Sequence, residues 1–328
     1  MLEIQINRDS ISIGSRFAVA FHRTLRIPDD GRTYPLPPGL GVFPIMRMQD
    51  YERSVPAEWL RDDGAFIPMY QREALWIGFR GARWKPNAVK IGAGGINAIS
   101  GESFDLELRD NPQDYIVCPL QPWLDGFKTG HDTVRQFVAM PLGLGYTVEA
   151  SLIGEERIGG IQIAVFEPRP GRFPDEPPPR KEAGPVLFAT PRPATQETMG
   201  LGAGGEMRQK VYPDPHGVAT WDRGNYGTVI VRLVNSAEFR RITGEEPPPS
   251  PVDAKTYADY GLPWFALYDE GLGDVGPGER LKGARTVTER DAELQAGGES
   301  EGDLDIPESR IRKIRTTGAG GERAPKSG

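Results

Sequence analysis

The sequence predicts a mainly β protein: an antiparallel β-sandwich or barrel-like core with a few short helices, proline-rich straps and a disordered C-terminal tail. Three observations carry that expectation. Gly and Pro contribute 41 and 31 of the 328 residues, well above the usual ~12% combined share, which leaves few uninterrupted helical windows. Apolar residues alternate with period two in several separate runs, the pattern of strands with one buried face. Aromatic residues stop at Tyr268, and the remaining chain is small and charged.

The strands follow from the alternation. Phe17, Val19 and Phe21 alternate with Ala18, Ala20 and His22; Leu75, Ile77 and Phe79 with Ala74, Trp76 and Gly78; Val134, Gln136 and Val138 with Arg135, Phe137 and Ala139. Tyr146, Val148, Ala150 and Leu152 share one face of a further run, which Gly154-Glu155-Glu156 is expected to turn into a hairpin with Ile161, Ile163 and Val165. Residues 114–118 and 228–234 read as strands, the second apolar on both faces and therefore central. Two short helices are expected, one capped by Ser236 and stopped by Gly244, the other capped by Asp253 and closed by Gly261 and Pro263.

The organisation expected is a β-rich core over 1–166, a proline-rich strap or linker over 167–195, strands and two short helices over 196–273 packing on the core, and the tail over 274–328. Nine prolines lie between Glu167 and Pro193, and a second proline-rich segment spans Glu245 to Pro251. The tail holds 11 acidic and 10 basic residues in patches, too little apolar surface to offset the entropy of ordering.

Composition excludes several function classes. A net charge of −7 argues against a nucleic-acid partner, which requires a basic surface. No run of about 18 apolar residues exists, so no stable membrane span is expected. The N-terminus lacks a basic start followed by an apolar run, and Cys118 is the single cysteine. Both point to a reducing, cytoplasmic setting. Cys118 itself, inside Tyr115-Ile-Val-Cys-Pro119, reads as a small buried hydrophobe.

The segment MGLGAGGEMRQ places glycines at 200, 202 and 205 in a G-x-G-x-x-G spacing. No buried strand is expected before it, and Tyr212-Pro-Asp-Pro215 forbids a long helix after it, so the dinucleotide reading fails on context. A glycine turn with close backbone packing is the plainer reading. The alternative is an anion-binding loop beside Arg208. Gly92-Ala-Gly-Gly95, beside Lys90, reads the same way. His22, His131 and His216 show no metal-ligand spacing, and no metal or cofactor is expected.

The leading ligand candidates are Tyr70, Arg72 and Trp76, placed on one face of a strand with Gln71 and Glu73 on the other, together with Arg208 and His216. Aromatic area with a polar handle suits a small polar or carbohydrate-like ligand. Against this stands core filling by the aromatics and a sheet-surface pair of Arg72 and Glu73. The function expected is a binding or self-assembly module without catalytic chemistry, with a second copy of the chain as partner. The alternative is a hydrolase or isomerase with His216 or Glu73 as base. A third reading is conditional membrane insertion through a Tyr146–Phe166 hairpin.

LRIPDDGRTYPLPPGLG (Leu25 to Gly41), YQREALWIGF (Tyr70 to Phe79), QDYIVCPLQPWLDG (Gln113 to Gly126), RQFVAMPLGLGYTVEA (Arg135 to Ala150) and MGLGAGGEMRQ resemble a family of uncharacterised microbial proteins. The resemblance extends to about Gly271 and implies one natural unit over that length. It implies no activity, cofactor or site residue.

Overall fold

The computed structural model describes residues 1–61, 64–177, 199–250, 252–267, 272–295 and 304–314. The architecture is mainly antiparallel β, as the alternation predicts, and the large sheet does not close on itself. β1 (Ile4–Ile6), β2 (Ile11–Ile13) and β3 (Phe17–Thr24) form a meander. Short strands follow: β4 (Thr33–Tyr34), β5 (Gly39–Val42), β6 (Met46–Arg47) and β7 (Ala65–Pro68). β8 (Ala74–Arg80) then pairs with β3 from Thr24↔Ala74 to Ala18↔Arg80. β9 (Asn87–Ala93), β10 (Ile96–Asn97), β11 (Ile116–Cys118), β12 (Trp123–Leu124) and β13 (Gly126–Gly130) lead to β14 (Thr133–Pro141). Helix α1 (Val148–Ile153) precedes β15 (Ile161–Pro168), β16 (Met199–Arg208) and β17 (Trp221–Val234).

The inward residues of these strands make the main core. Phe21, Ile77, Ile91, Phe137, Ile163 and Val231 are all fully buried, each stabilising by roughly 1.5–3 kcal/mol. β17 is central as expected: it pairs antiparallel with β15 and parallel with β7. Cys118 is buried in this core, and burial pushes its thiol up.

Beyond β17 come α2 (Ser236–Thr243), α3 (Ala254–Asp259) and β18 (Trp264–Leu267). Both helices sit where the caps place them, with Asn235 rather than Ser236 capping the first and Asp253 the second. Then follow α4 (Glu279–Lys282), α5 (Val287–Glu293) and β19 (Ile311–Ile314).

Four expectations are corrected. The tail does not start at Asp274. Leu281 and Val287 are fully buried on the core, and β19 runs parallel to β18. Of the expected tail, 296–303 and 315–328 lie outside the described residues, as does 178–198 of the first proline-rich segment. Tyr146–Leu152 is no strand: Thr147 caps α1 by accepting the Ala150 N–H, and Gly154 ends it in the left-handed conformation. Alternation over so few residues also fits a short capped helix, so the cap and the glycine decide. The membrane-inserting hairpin has no basis once this strand is a helix. Among the described residues no helix is long and apolar enough to cross a membrane.

MGLGAGGEMR is strand β16, not a turn. Its glycines serve close approach, as expected, but within a sheet. A Cβ at Gly202 would stand 2.9 Å from the Tyr146 carbonyl and from Val287 Cγ2, and one at Gly205 would collide with the Pro28 carbonyl. Finally, β8 begins only at Ala74. Tyr70 to Glu73 form a turn closed by the Glu73 N–H on the Tyr70 carbonyl at 3.1 Å.

Candidate functional site

Of the five ligand candidates, Tyr70 and Arg72 share one turn, and Trp76, Arg208 and His216 lie in separate surroundings. Trp76 lies on β8 as expected. It is buried, stacks on its cross-strand neighbour His22 with ring centres 3.7 Å apart, and meets Trp123 edge-on. Its cluster includes Tyr34, Leu36, Trp123 and, from the C-terminal elements, Trp264 and Ile314. Arg208 is exposed at the end of β16. His216 is exposed in a turn, edge-on to Phe173 and Trp221. His131 is exposed at the β13–β14 turn. Among the described residues no three His, Cys, Asp or Glu side chains converge as a metal site.

Tyr70 and Arg72 share the turn before β8, and this turn carries polar clusters on both of its sides. On one side lies Glu73, almost fully buried. Its carboxylate accepts from Arg23 Nε at 2.7 Å and from the Tyr70 N–H at 2.8 Å. Burial pushes the Glu73 carboxyl up to about 7, against the lowering pull of Arg23 and the Tyr70 N–H. The proline segment after α2 seals this side. Tyr70 donates its hydroxyl to the Pro248 carbonyl at 2.9 Å, and Arg23 donates to the Pro249 carbonyl. Burial, then the charge of Glu73, pushes the Tyr70 phenol up to about 12.

Arg72 points to the other side from a left-handed backbone, φ 68°. An L-residue other than Gly or Asn pays roughly 1–2 kcal/mol there. Its guanidinium holds Asp291 of α5 in a fork, Nη1 to Oδ2 at 2.8 Å and Nη2 to Oδ1 at 2.6 Å. It also sits 5.9 Å from the Tyr146 ring centre. The Tyr146 hydroxyl donates to Asp291 Oδ1 at 2.7 Å. Burial alone would raise the Asp291 carboxyl, but the bonds from Arg72 and Tyr146, with the charges of Arg72 and Arg26, hold it below its ordinary value.

Two other buried cations serve the scaffold. Lys90 Nζ pairs with Asp105 at 2.7 Å and Asp114 at 2.8 Å. Lys128 Nζ pairs with Asp274 at 2.6 Å. The same carboxylate accepts the N–H of Asp132 at 2.8 Å and of Val211 at 2.9 Å. Sequence reasoning missed Arg23, Lys128, Asp274 and Asp291 as partners. A signal existed: Arg23 and Lys128 stand inside runs otherwise bound for the core, and a charge there requires a partner. The partner's position is set by the fold alone.

A groove of about 590 Å³ opens on the outer face of β15 and β17. Gln162, Thr228 and Ile230 line its floor, with Leu2 and Ile4 of the N-terminal segment and Phe104 along its sides. β1 has a ladder with β2 alone among the described strands; its second edge borders this groove and is tied to β17 at its start, where the Leu2 N–H donates to the Tyr226 carbonyl at 2.8 Å. Compared with known protein families, curated proteins and solved structures, the chain gives no match.

Proposed function

We propose that the chain is a β-rich binding module that works by surface complementarity and associates with a second copy of itself through the β1 edge and its groove. The observation that supports this reading is the adjacency of a strand edge that has no ladder partner over Ile4–Ile6 among the described residues and a trough bearing Leu2, Ile4 and Ile230. A strand edge offers main-chain hydrogen bonds, and the trough accepts alternate side chains of the added strand. An isologous contact of this kind closes as a dimer. Light scattering on a sizing column tests it across protein concentrations. The full chain is expected above the monomer mass, and Ile4→Lys and Ile230→Lys are expected to return it to monomer. A monomer at every concentration, or a dimer indifferent to both substitutions, removes the reading.

A second reading, an enzyme of hydrolase or isomerase type with Glu73 as base, is supported by one observation: a buried carboxyl raised to about 7 beside Arg23 and Tyr70. Perturbed carboxyls of this sort gather at reaction centres. This reading requires Pro248 and Pro249 to leave the donors they now occupy.

A further inference from the structure

We propose that Arg72 and Tyr146 form a carboxylate-binding site that the chain fills with its own Asp291, and that an acidic ligand takes the site when α5 is displaced. This goes beyond the self-association reading and does not depend on it.

Four observations carry it. Arg72 occupies a left-handed position although glycine serves at most other such positions of the described residues, Asp132 and Gln295 excepted, so the side chain is retained against a backbone cost. The guanidinium meets Asp291 end on with two parallel N–H···O bonds, the geometry by which arginine recognises planar carboxylates. Tyr146, 5% exposed, adds a third donor to the same group. The occupant arrives on a seven-residue helix. A helix so short has little stability of its own and opens as a local unit.

The rest of α5's attachment is a bridge of its cap Thr286 to Ala203, the Arg285 N–H on Ser151 at 2.8 Å, and two side chains. Val287 packs against Gly202, and Arg290 donates to the Leu144 carbonyl from Nε at 3.0 Å and Nη2 at 2.9 Å. Val287 shares a cluster with Tyr146, but both donors also have anchors outside α5: the Arg72 N–H donates to the Ala139 carbonyl at 2.7 Å, and Thr147, next to Tyr146, donates its hydroxyl to Glu156 at 2.7 Å. The ligand class follows from the donors: a carboxylate such as an aspartyl or glutamyl side chain of an acidic peptide.

Acetate and N-acetyl-aspartate are the probes, on the full chain. Asp291→Ala removes the internal carboxylate. Acetate is then expected to raise the Tm of this variant saturably, while chloride at equal ionic strength does not. Adding Arg72→Gln should weaken acetate binding by about ten- to hundredfold, the worth of hydrogen bonds to a charged group. Should Asp291→Ala fail to fold, Asp291→Asn serves in its place. In the wild-type chain, N-acetyl-aspartate above the millimolar effective concentration of a tethered group should speed amide exchange across Val287–Glu293. No saturable acetate effect in either Asp291 variant, or an equal effect without Arg72, overturns the site. Rescue without faster exchange in the wild-type α5 overturns its displacement.

Discussion

The β core and the segment from Asp274 through α5 are held to the molecule in different ways. β14 and β16 share a ladder running from Thr133↔Arg208 to Pro141↔Met199, and the side chains beneath it join one continuous apolar cluster. β18 and β19 pack into a second apolar cluster with Trp76 and Trp123, but the segment between them attaches at points: Asp274 on Lys128, Leu281 over Gly101, Val287 on Gly202 and Asp291 in the fork of Arg72. A ladder spreads its energy over many residues, so one loss is shared. A point attachment concentrates it, so one substitution should free a whole segment. The difference teaches that low apolar content does not exclude docking when a few buried contacts are well partnered.

The largest effect is expected at Asp274. Replacing it with Ala leaves Lys128 buried and uncompensated, a loss of about 3–5 kcal/mol. It also strips the N–H groups of Asp132 and Val211 of their acceptor. Denaturant unfolding of Asp274→Ala against wild type measures this. A change under about 1 kcal/mol would show Lys128 reaching water and the point-attachment account failing.

Next comes the pH dependence set by Glu73. Its carboxyl is raised from 4.5 to about 7 in the fold. The native state therefore holds more protons than the unfolded chain between those values, and stability falls as pH rises through the window. The full contribution is present below about 4.5 and is lost above about 7, near 3 kcal/mol in all. Glu73→Gln should flatten this slope in Tm against pH, although it also lowers stability by leaving Arg23 without its carboxylate. The same slope in wild type and variant would place its origin elsewhere. Because Pro248 and Pro249 cover this cluster, the result also tells whether the proline segment belongs energetically with the core.

How legible each region was follows from the same contrast. Phe17–Phe21, Leu75–Phe79 and Val134–Val138 could be read because each strand writes its burial locally, every second residue. The two helices after β17 could be read because their caps are local too. Val287 and Asp291 could not, since each is buried by a partner more than 80 residues away in sequence, Gly202 and Arg72 respectively. β16 was hidden because its glycines carry no apolar pattern; what they supply is room for the Tyr146 carbonyl, Val287 and Pro28. At the candidate site the residue types Tyr70 and Arg72 were legible, but their direction was not. The turn at φ 68° sends Arg72 toward α5 rather than onto a strand face with Trp76.

Val287 tests the apolar share of the attachment. It is fully buried over Gly202, where β16 lacks a side chain, and packs with Ala74, Val138, Met140 and Tyr146. Val287→Ala should cost about 2 kcal/mol, two methyl groups plus the space left behind. Its signature should be local: faster amide exchange across α5 with little change in β14 and β16. If exchange rose equally in those strands, α5 and the ladder would open as one unit and the contrast between the regions would collapse.

The smallest effect marks where attachment is absent. Lys282 on α4 pairs with Glu279 at 2.6 Å, but its side chain is 47% exposed and its partner's 82%. Such a pair contributes about 0.3–0.5 kcal/mol, so Lys282→Ala should fall close to wild type in denaturant unfolding. Leu281, one residue away, is fully buried and should cost several times more on truncation to Ala, about 2–5 kcal/mol. Two neighbours on one turn of helix then separate the inward contact from the solvated face. Equal losses at both positions would mean that the segment is held by its charged surface as a whole, and the sharp ranking from Asp274 to Val287 would have no basis.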